Sequence, residues 1–259
     1  DGTSTSSGFG LMWDSLRVLN LIPSTEPYTT TPYSVAAVGL PGGETVSPAV
    51  LAVSGNNAIV DWVIIELRSS ANSSTVLYSK RALIQRDGDV VSSIDGISPV
   101  FFGSIPAGNY YVSIKHRNHL GVMTSSTVAI NSCSSLIDFT NPSTALYIKP
   151  GVLVNPTTPI WTIGSIRALF PGDATLNKEV KCGTGQLTTP ATAFCDNYKI
   201  NLTLGGVINA ILPGYKAEDI NLNGKVTQNN ANNDKNVVLQ MLLNVTGNST
   251  STIYQHTPN

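Results

Sequence analysis

The chain has 259 residues, of which 41% are hydrophobic and only 12% carry a charged side chain, and its formal net charge is −1. This length and apolar content can bury a substantial core, but the near-neutral surface offers no basic face for nucleic acid or anionic lipid. No apolar run approaches the roughly 18 residues that a membrane helix needs, so we expect no membrane insertion.

Several features of the sequence indicate an exported protein. The chain starts at Asp1 rather than Met, as a processed protein does. Two of its three cysteines, Cys182 and Cys195, bracket a segment rich in Gly, Thr and Pro, which predicts a disulfide that closes this segment. Cys133 is left over and is interpreted as a buried thiol. Four N-x-S/T sequons are possible glycosylation sites, at Asn72, Asn201, Asn244 and Asn248. We expect an extracellular protein, secreted or at the cell surface.

The first part of the chain predicts an antiparallel β-sheet protein. Residues 1–9 have the composition of a flexible tail, and residues 10–148 carry short runs rich in Val, Ile and Tyr. Gly, Pro, Asn or Asp bounds each run, as expected for strands that are joined by turns. The runs are AVLAVSG, IVDWVIIELRS, TVLYSKRALIQ, PVFFGSI, NYYVSIKHR and STVAINS. The expected fold is a mainly β protein with an Ig-like or transthyretin-like β-sandwich.

The second part predicts a smaller module. Residues 149–171 form a proline-rich connector, residues 172–245 form the module, and residues 246–259 form a C-terminal tail. The module has two halves that share the pattern Asp-x-(Thr/Asn)-x-Asn-x-x-Val, followed by an insert, an Asp and a run with helical spacing. An internal repeat of this kind predicts two similar loops.

Each half has the ligand spacing of a calcium loop. Side-chain oxygens at positions 1, 3 and 5, a backbone carbonyl at position 7 and a later carboxylate can surround a hard cation. The predicted ligands of the second half are Asp219, Asn221, Asn223, the carbonyl of Lys225 and Asp234. Those of the first half are Asp173, Thr175, Asn177, the carbonyl of Glu179 and Asp196. We expect two calcium sites.

Both halves depart from the usual loop. In the second half Asn230 stands at position 12, where a bidentate Glu is usual, and the nearest carboxylate follows four residues later. In the first half Lys178 stands where Gly is expected, and the cysteine-bracketed segment separates the loop from Asp196. The alternative interpretation is an Asx-rich turn without metal, with Asp234 or Asn233 as the cap of a helix.

These residues also carry a resemblance to a known group of proteins. The segments IVDWVIIELR, ALIQRDGDVV and GNYYVSIKHRNHLGVMT, followed by EDINLNGKVTQNNANNDKNVVLQ, resemble the C-terminal region of large secreted and cell-surface proteins of Bacteroidota-type bacteria. The resemblance spans nearly the whole chain. It implies extracellular placement, a β-sandwich and a pair of dockerin-like calcium repeats.

Catalytic interpretations receive less support from the sequence. His116 and His119, with His256 as the remaining histidine, are considered as a zinc site, but we favour hydrogen-bonded or solvated side chains. Asp87, Asp89 and Asp95 are considered as paired carboxylates for glycoside hydrolysis, but we favour turns. No nucleophile elbow, phosphate loop or dinucleotide fingerprint occurs. We therefore expect a protein that is not an enzyme.

Two functional classes remain. The first is a structural subunit that polymerises with copies of itself into a fibre or tubule, with the N-terminal tail or the C-terminal strand adding to a neighbour's sheet. The second is an adhesin or binding module, for glycans through Trp13, Tyr28 and Tyr33, or for a cohesin-like protein through the dockerin-like repeats.

Overall fold

The computed structural model describes residues 20–131, 136–150, 158–181, 195–246 and 252–258. The predictions for the tail at residues 1–9, Trp13, Cys133, Cys182 and Asn248 lie outside these residues. The predicted disulfide between Cys182 and Cys195 also falls outside the described residues, because Cys182 does.

The described residues form three helices and twelve strands. The helices are α1 (Pro48–Leu51), α2 (Asp196–Thr203) and α3 (Asp234–Thr246). The strands of the first part are β1 (Ile59–Ser69), β2 (Val76–Gln85), β3 (Val90–Val91), β4 (Gly108–Lys115), β5 (Val122–Met123) and β6 (Val128–Ile130). The later strands are β7 (Trp161–Ile163), β8 (Ile166–Ala168), β9 (Glu179–Lys181), β10 (Leu212–Pro213), β11 (Lys225–Val226) and β12 (Thr252–Tyr254).

One six-stranded antiparallel sheet dominates the first part. Its strand order is β3-β2-β1-β4-β5, and β6 pairs with β4. The other strands form three antiparallel pairs, β7 with β8, β9 with β12 and β10 with β11. The prediction of a mainly β protein with antiparallel sheets is therefore confirmed.

Two of the predicted strands are wrong. The run AVLAVSG contributes helix α1, because Ser47 accepts a hydrogen bond from the Val50 amide as an N-cap and Pro48 occupies the first turn. The run PVFFGSI, residues 99–105, contains no strand and contributes only an isolated bridge between Pro99 and Val91. Pro48 directly before the first run and Pro99 at the start of the second outweigh the β propensity of the Val and Phe residues that follow them.

The central strand β1 is buried on both faces. Trp62 and Ile64 pack into a cluster on one face, and Val63 packs into a cluster on the other. The second part has its own core, built from α2, α3, β9 and β12 and centred on Ile200, Val238 and Leu242. In the described part of the chain, no helix is long and apolar enough to cross a membrane.

The cores of the two parts interlock. Leu222 of the second part packs with the β1 cluster around Trp62, and Leu120 of the first part packs with the core around Val238. Hydrophobic burial is the main source of folding free energy, so the exchange of these two leucines joins the parts into one packed unit.

Candidate metal-binding loops

The structure contains two loops with the same backbone path. The first loop is residues 173–181 and the second loop is residues 219–227. Lys178 in the first loop and Gly224 in the second have φ angles of 68° and 83°. The residues two positions earlier, Leu176 and Leu222, have φ angles of 62° and 56°. Lys178 thus adopts the left-handed conformation that favours glycine, so the loop geometry survives this departure in sequence.

The first carboxylate of each loop is held by backbone amides of its own loop. Asp173 accepts hydrogen bonds from the amides of Asn177, at 3.0 Å, and Lys178, at 2.8 Å. Asp219 accepts hydrogen bonds from the amides of Asn223 and Gly224, both at 3.0 Å. The same positions of the repeat therefore make the same contacts.

The second carboxylate of each loop comes from the first residue of the following helix. Asp196 of α2 accepts hydrogen bonds from the amides of Thr175, at 3.1 Å, and Lys181, at 2.7 Å. Asp234 of α3 accepts equivalent bonds from the amides of Asn221, at 3.2 Å, and Thr227, at 2.7 Å. The inserts differ in length, yet each helix returns its carboxylate to the same place beside its loop.

The predicted neutral ligands lie around these carboxylates. The Thr175 hydroxyl oxygen lies 3.4 Å from Asp173 Oδ1 and 3.1 Å from Asp196 Oδ1. Calcium binds its oxygen ligands at about 2.3–2.6 Å. Two oxygens that share one calcium ion can therefore lie as far apart as the Thr175 hydroxyl oxygen lies from the two carboxylates. Asn177 Oδ1 accepts the Glu179 amide at 2.9 Å.

The second loop makes matching turns with its asparagines. Asn223 Oδ1 accepts the Lys225 amide at 3.1 Å, and Asn221 Oδ1 accepts the Asn223 amide at 3.1 Å. A carbonyl oxygen has two lone pairs, so each amide oxygen retains one for a further partner.

Burial places each pair of carboxylates in an unfavourable environment. Burial raises the pKa of Asp173 to about 6, and burial together with the charge of Asp173 raises the pKa of Asp196 well above its usual range. Burial raises the pKa of Asp219 to about 6, and burial together with the charge of Asp219 raises the pKa of Asp234 to about 7. Two buried like charges need a cation or a proton to neutralise them.

The donor set suits a hard cation. Within the described ranges, no group of three or more His, Cys, Asp or Glu side chains is placed to hold a metal ion. The first loop combines two carboxylates with the Thr175 hydroxyl and the Asn177 amide oxygen. The second loop combines two carboxylates with the amide oxygens of Asn221 and Asn223. An all-oxygen set of this kind fits calcium rather than zinc or another ion that prefers nitrogen or sulfur. The residues present therefore fit the predicted ion.

A buried polar cluster lies beside the second loop, and the sequence analysis missed it. Asp61 of β1 accepts hydrogen bonds from Arg117 Nε at 2.9 Å and from the Tyr215 hydroxyl at 2.5 Å, and its Oδ2 lies 3.0 Å from His116 Nε2. Burial alone would raise the pKa of Asp61, but Arg117 and His116 outweigh it and lower the pKa below its usual range. The available signal was an aspartate within residues 59–65 of β1, a stretch in which every other residue is apolar.

Arg117 connects this cluster to the second loop. Its Nη2 lies 3.8 Å from Asp219 Oδ2, its Nη1 donates to the carbonyl of Lys216, and its guanidinium carbon lies 4.3 Å from the centre of the Tyr215 ring. The side chains of Arg117 and Asp219 are fully buried. The six-stranded sheet and the second loop thus share one buried ion-pair network.

The C-terminal segment, residues 252–258, ties the same parts together. Strand β12 pairs with β9 of the first loop, and the Gln255 side chain accepts the Gly121 amide at 2.8 Å. Arg68 of β1 donates to the carbonyl of Pro258 at 3.2 Å. This segment is therefore paired within its own chain, which disfavours the idea that it adds to a neighbour's sheet.

The other candidate residues have ordinary structural surroundings. His116 and His119 are buried and their rings make an edge contact, while Nδ1 of His256 accepts the Lys149 amide. Asp87, Asp89 and Asp95 are exposed, and the carboxylates of Asp87 and Asp95 bind nearby amides of their turns.

Several candidate binding and modification residues are also located. Tyr28 is buried and donates to the carbonyl of Trp62, so its predicted role as an exposed aromatic for glycan binding is wrong. Tyr33 is half-buried beside it, and Trp13, the third predicted aromatic, lies outside the described residues. Asn72 and Asn244 are exposed, Asn201 is half-buried and Cys195 is buried.

Comparisons with protein-family models, with curated proteins and with solved structures found no match to this chain.

Proposed function

We propose that this chain is a non-enzymatic extracellular structural protein whose two loops bind calcium. The observation that carries the proposal is the repeated pair of buried carboxylates, Asp173 with Asp196 and Asp219 with Asp234, each of which is held by backbone amides and has a threonine hydroxyl nearby. Calcium neutralises such a pair without a proton, so binding stabilises the native loops at neutral pH.

The proposed architecture is a β-sandwich followed by a dockerin-like module, as in the secreted Bacteroidota-type proteins that the sequence resembles. The dockerin-like module is supported by the duplicated loop-to-helix unit, in which α2 and α3 each begin with a candidate calcium ligand. The family assignment and the extracellular placement are part of this proposal.

We further propose that the subunit assembles with copies of itself into a fibre or tubule. The low charge of the chain supports this proposal, because close packing of subunits then meets little electrostatic repulsion. Since residues 252–258 pair within the chain, we assign the intersubunit contact to the N-terminal tail, residues 1–9.

The test is negative-stain electron microscopy with light scattering on the purified chain, in calcium and then in chelator. We expect long regular particles in calcium and their dissociation in chelator. Deletion of residues 1–9 should leave a folded monomer that still binds calcium. Regular particles formed by the truncated chain would contradict the role of the tail, and a monomer under all conditions would contradict assembly itself.

A second candidate function is the binding of a protein partner, such as a cohesin-like domain. The observation that favours it is a group of exposed aliphatic residues close in sequence, at the end of α2 and in the segment that follows it, namely Leu202, Val207, Ile208 and Ile211. Exposed apolar residues that cluster in this way often mark a protein-binding surface. A chain that stays monomeric, but loses binding to a cohesin-like domain when Ile208 becomes Ser, would favour this second candidate.

A further inference from the structure

The turn that follows β4 touches the first residue of both loops. The backbone carbonyl of Asn118 accepts the amides of Gly172, at 3.0 Å, and Asp173, at 3.1 Å. The side-chain amide of Asn118 donates to the carbonyls of Ala217, at 3.0 Å, and Asp219, at 2.7 Å. Asn118 is 1% exposed, so these bonds form away from water. One residue of the first part of the chain therefore holds both loops at the point where each begins.

The neighbours of Asn118 keep it in place. The Leu120 amide donates to the carbonyl of Phe170 at 2.8 Å, and Asn118 Oδ1 lies 2.8 Å from Nδ1 of His119. The preceding residue, Arg117, is anchored to Asp61. Asn118 thus has little freedom to follow one loop without affecting the other.

We propose that Asn118 is a positioning residue that couples the two loops, so that they bind calcium cooperatively. This inference rests on the proposed function of the loops as calcium sites. A cation in the first loop orders the peptide group of Asp173, which fixes Asn118 and with it the carbonyl of Asp219. The second loop then loses less conformational entropy when it binds its own ion. Because coupling is reciprocal, the second loop aids the first by the same factor.

Calorimetric titration of the full chain with calcium tests this coupling. We expect the wild type to bind two ions with a Hill coefficient above 1. Asn118→Ala should bring the Hill coefficient to 1 and weaken the second loop about tenfold or more, as loss of an outer-shell contact typically does. Asn141→Ala is the control, because Asn141 is exposed and its side chain accepts the Ser143 amide of its own turn.

A variant that removes one site separates coupling from a general effect on folding. Asp173→Asn should weaken calcium binding by the second loop in the wild-type background and leave it unchanged in the Asn118→Ala background. If Asn118→Ala does not fold, the effect of Asp173→Asn on calcium binding by the second loop in the wild-type background decides whether the two sites are coupled. Two independent sites, with the second loop unaffected by Asp173→Asn, would overturn the coupling and leave the proposed function intact. A wild-type chain that binds no calcium would overturn both.

Discussion

Asp234→Ala gives the sharpest test of the second loop. In the native state the Asp234 carboxylate accepts hydrogen bonds from the amides of Ile220, Asn221 and Thr227, at 2.8, 3.2 and 2.7 Å. Without calcium, two effects of the substitution oppose each other. The loss of three bonds to a carboxylate destabilises the fold by about 1.5–3 kcal/mol for each bond. The removal of a buried carboxylate whose pKa is raised to about 7, by burial and by the charge of Asp219, offsets part of this loss, because a charged group no longer has to be buried.

Bound calcium adds to the stability of the native state. At a free concentration 100 times the dissociation constant, a site stabilises the native state by about 2.7 kcal/mol. For a chain of this size that corresponds to a rise in melting temperature of roughly 5–10 °C for each site. The wild type should therefore gain the increments of two sites on addition of calcium, and Asp234→Ala should lose the increment of the second loop.

Thermal unfolding followed by circular dichroism, in calcium and in chelator, measures both increments. Asp138→Ala is the matched control, because the Asp138 carboxylate also accepts two backbone amides, from Thr140 and Asn141, but does so at the surface. Its melting temperature should change equally in the two solutions. An equal calcium-induced rise in the wild type and in Asp234→Ala would refute the assignment of Asp234 as a ligand.

Three further results are expected. The native loops hold protons more tightly than the unfolded chain, so their contribution to stability in chelator falls as the pH rises from about 4 to 7. Protons compete with calcium for the same carboxylates, so calcium affinity measured by calorimetry should fall at least about tenfold when the pH is lowered from about 7.5 to 5.5. A pH-independent affinity would contradict the raised pKa values. Asp61→Ala leaves Arg117 without its main partner and should lower the free energy of unfolding by about 3–5 kcal/mol in denaturant titrations; a loss below 1 kcal/mol would mean that the cluster is not an essential ion-pair network. Removal of residues 252–259 deletes the buried Ile253 and the strand that pairs with β9, and should lower the melting temperature in calcium and in chelator alike. Unchanged melting would show that the segment is dispensable.

The repeat could be read from the sequence because its ligand candidates are local. Asp219, Asn221 and Asn223 alternate within five residues, and the amides that they bind belong to the same loop. The closeness of Asp196 to the first loop was predicted from the repeat, although an insert of unrelated composition separates them. Lys178 was treated as a departure, but its backbone follows the path of Gly224. The Lys178 amide donates to Asp173 as the Gly224 amide donates to Asp219, so the hydrogen bond holds the path even though the left-handed conformation favours glycine.

The contacts between the two parts could not be predicted in this way. Asp61 and Arg117 are separated by 56 positions, and Arg117 lies 99 positions before Lys216, whose carbonyl it binds. Nothing in a strand pattern states which buried charge meets which partner, because that choice depends on how the sheet and the loops dock. Asn118 likewise lies between His116 and His119, and in that motif only the two histidines were considered as functional residues.

The C-terminal segment has a consequence for the order in which the chain can fold. Strand β1 is synthesised early, but the carbonyl that binds Arg68 belongs to Pro258, 190 positions later. The Gly121 amide similarly waits for Gln255, 134 positions later. During synthesis, the strands of the sheet are thus complete before the C-terminal segment exists. In a chain held at an intermediate length, the Arg68 side chain lacks the carbonyl of Pro258 and the Gly121 amide lacks Gln255, so these two contacts should form last.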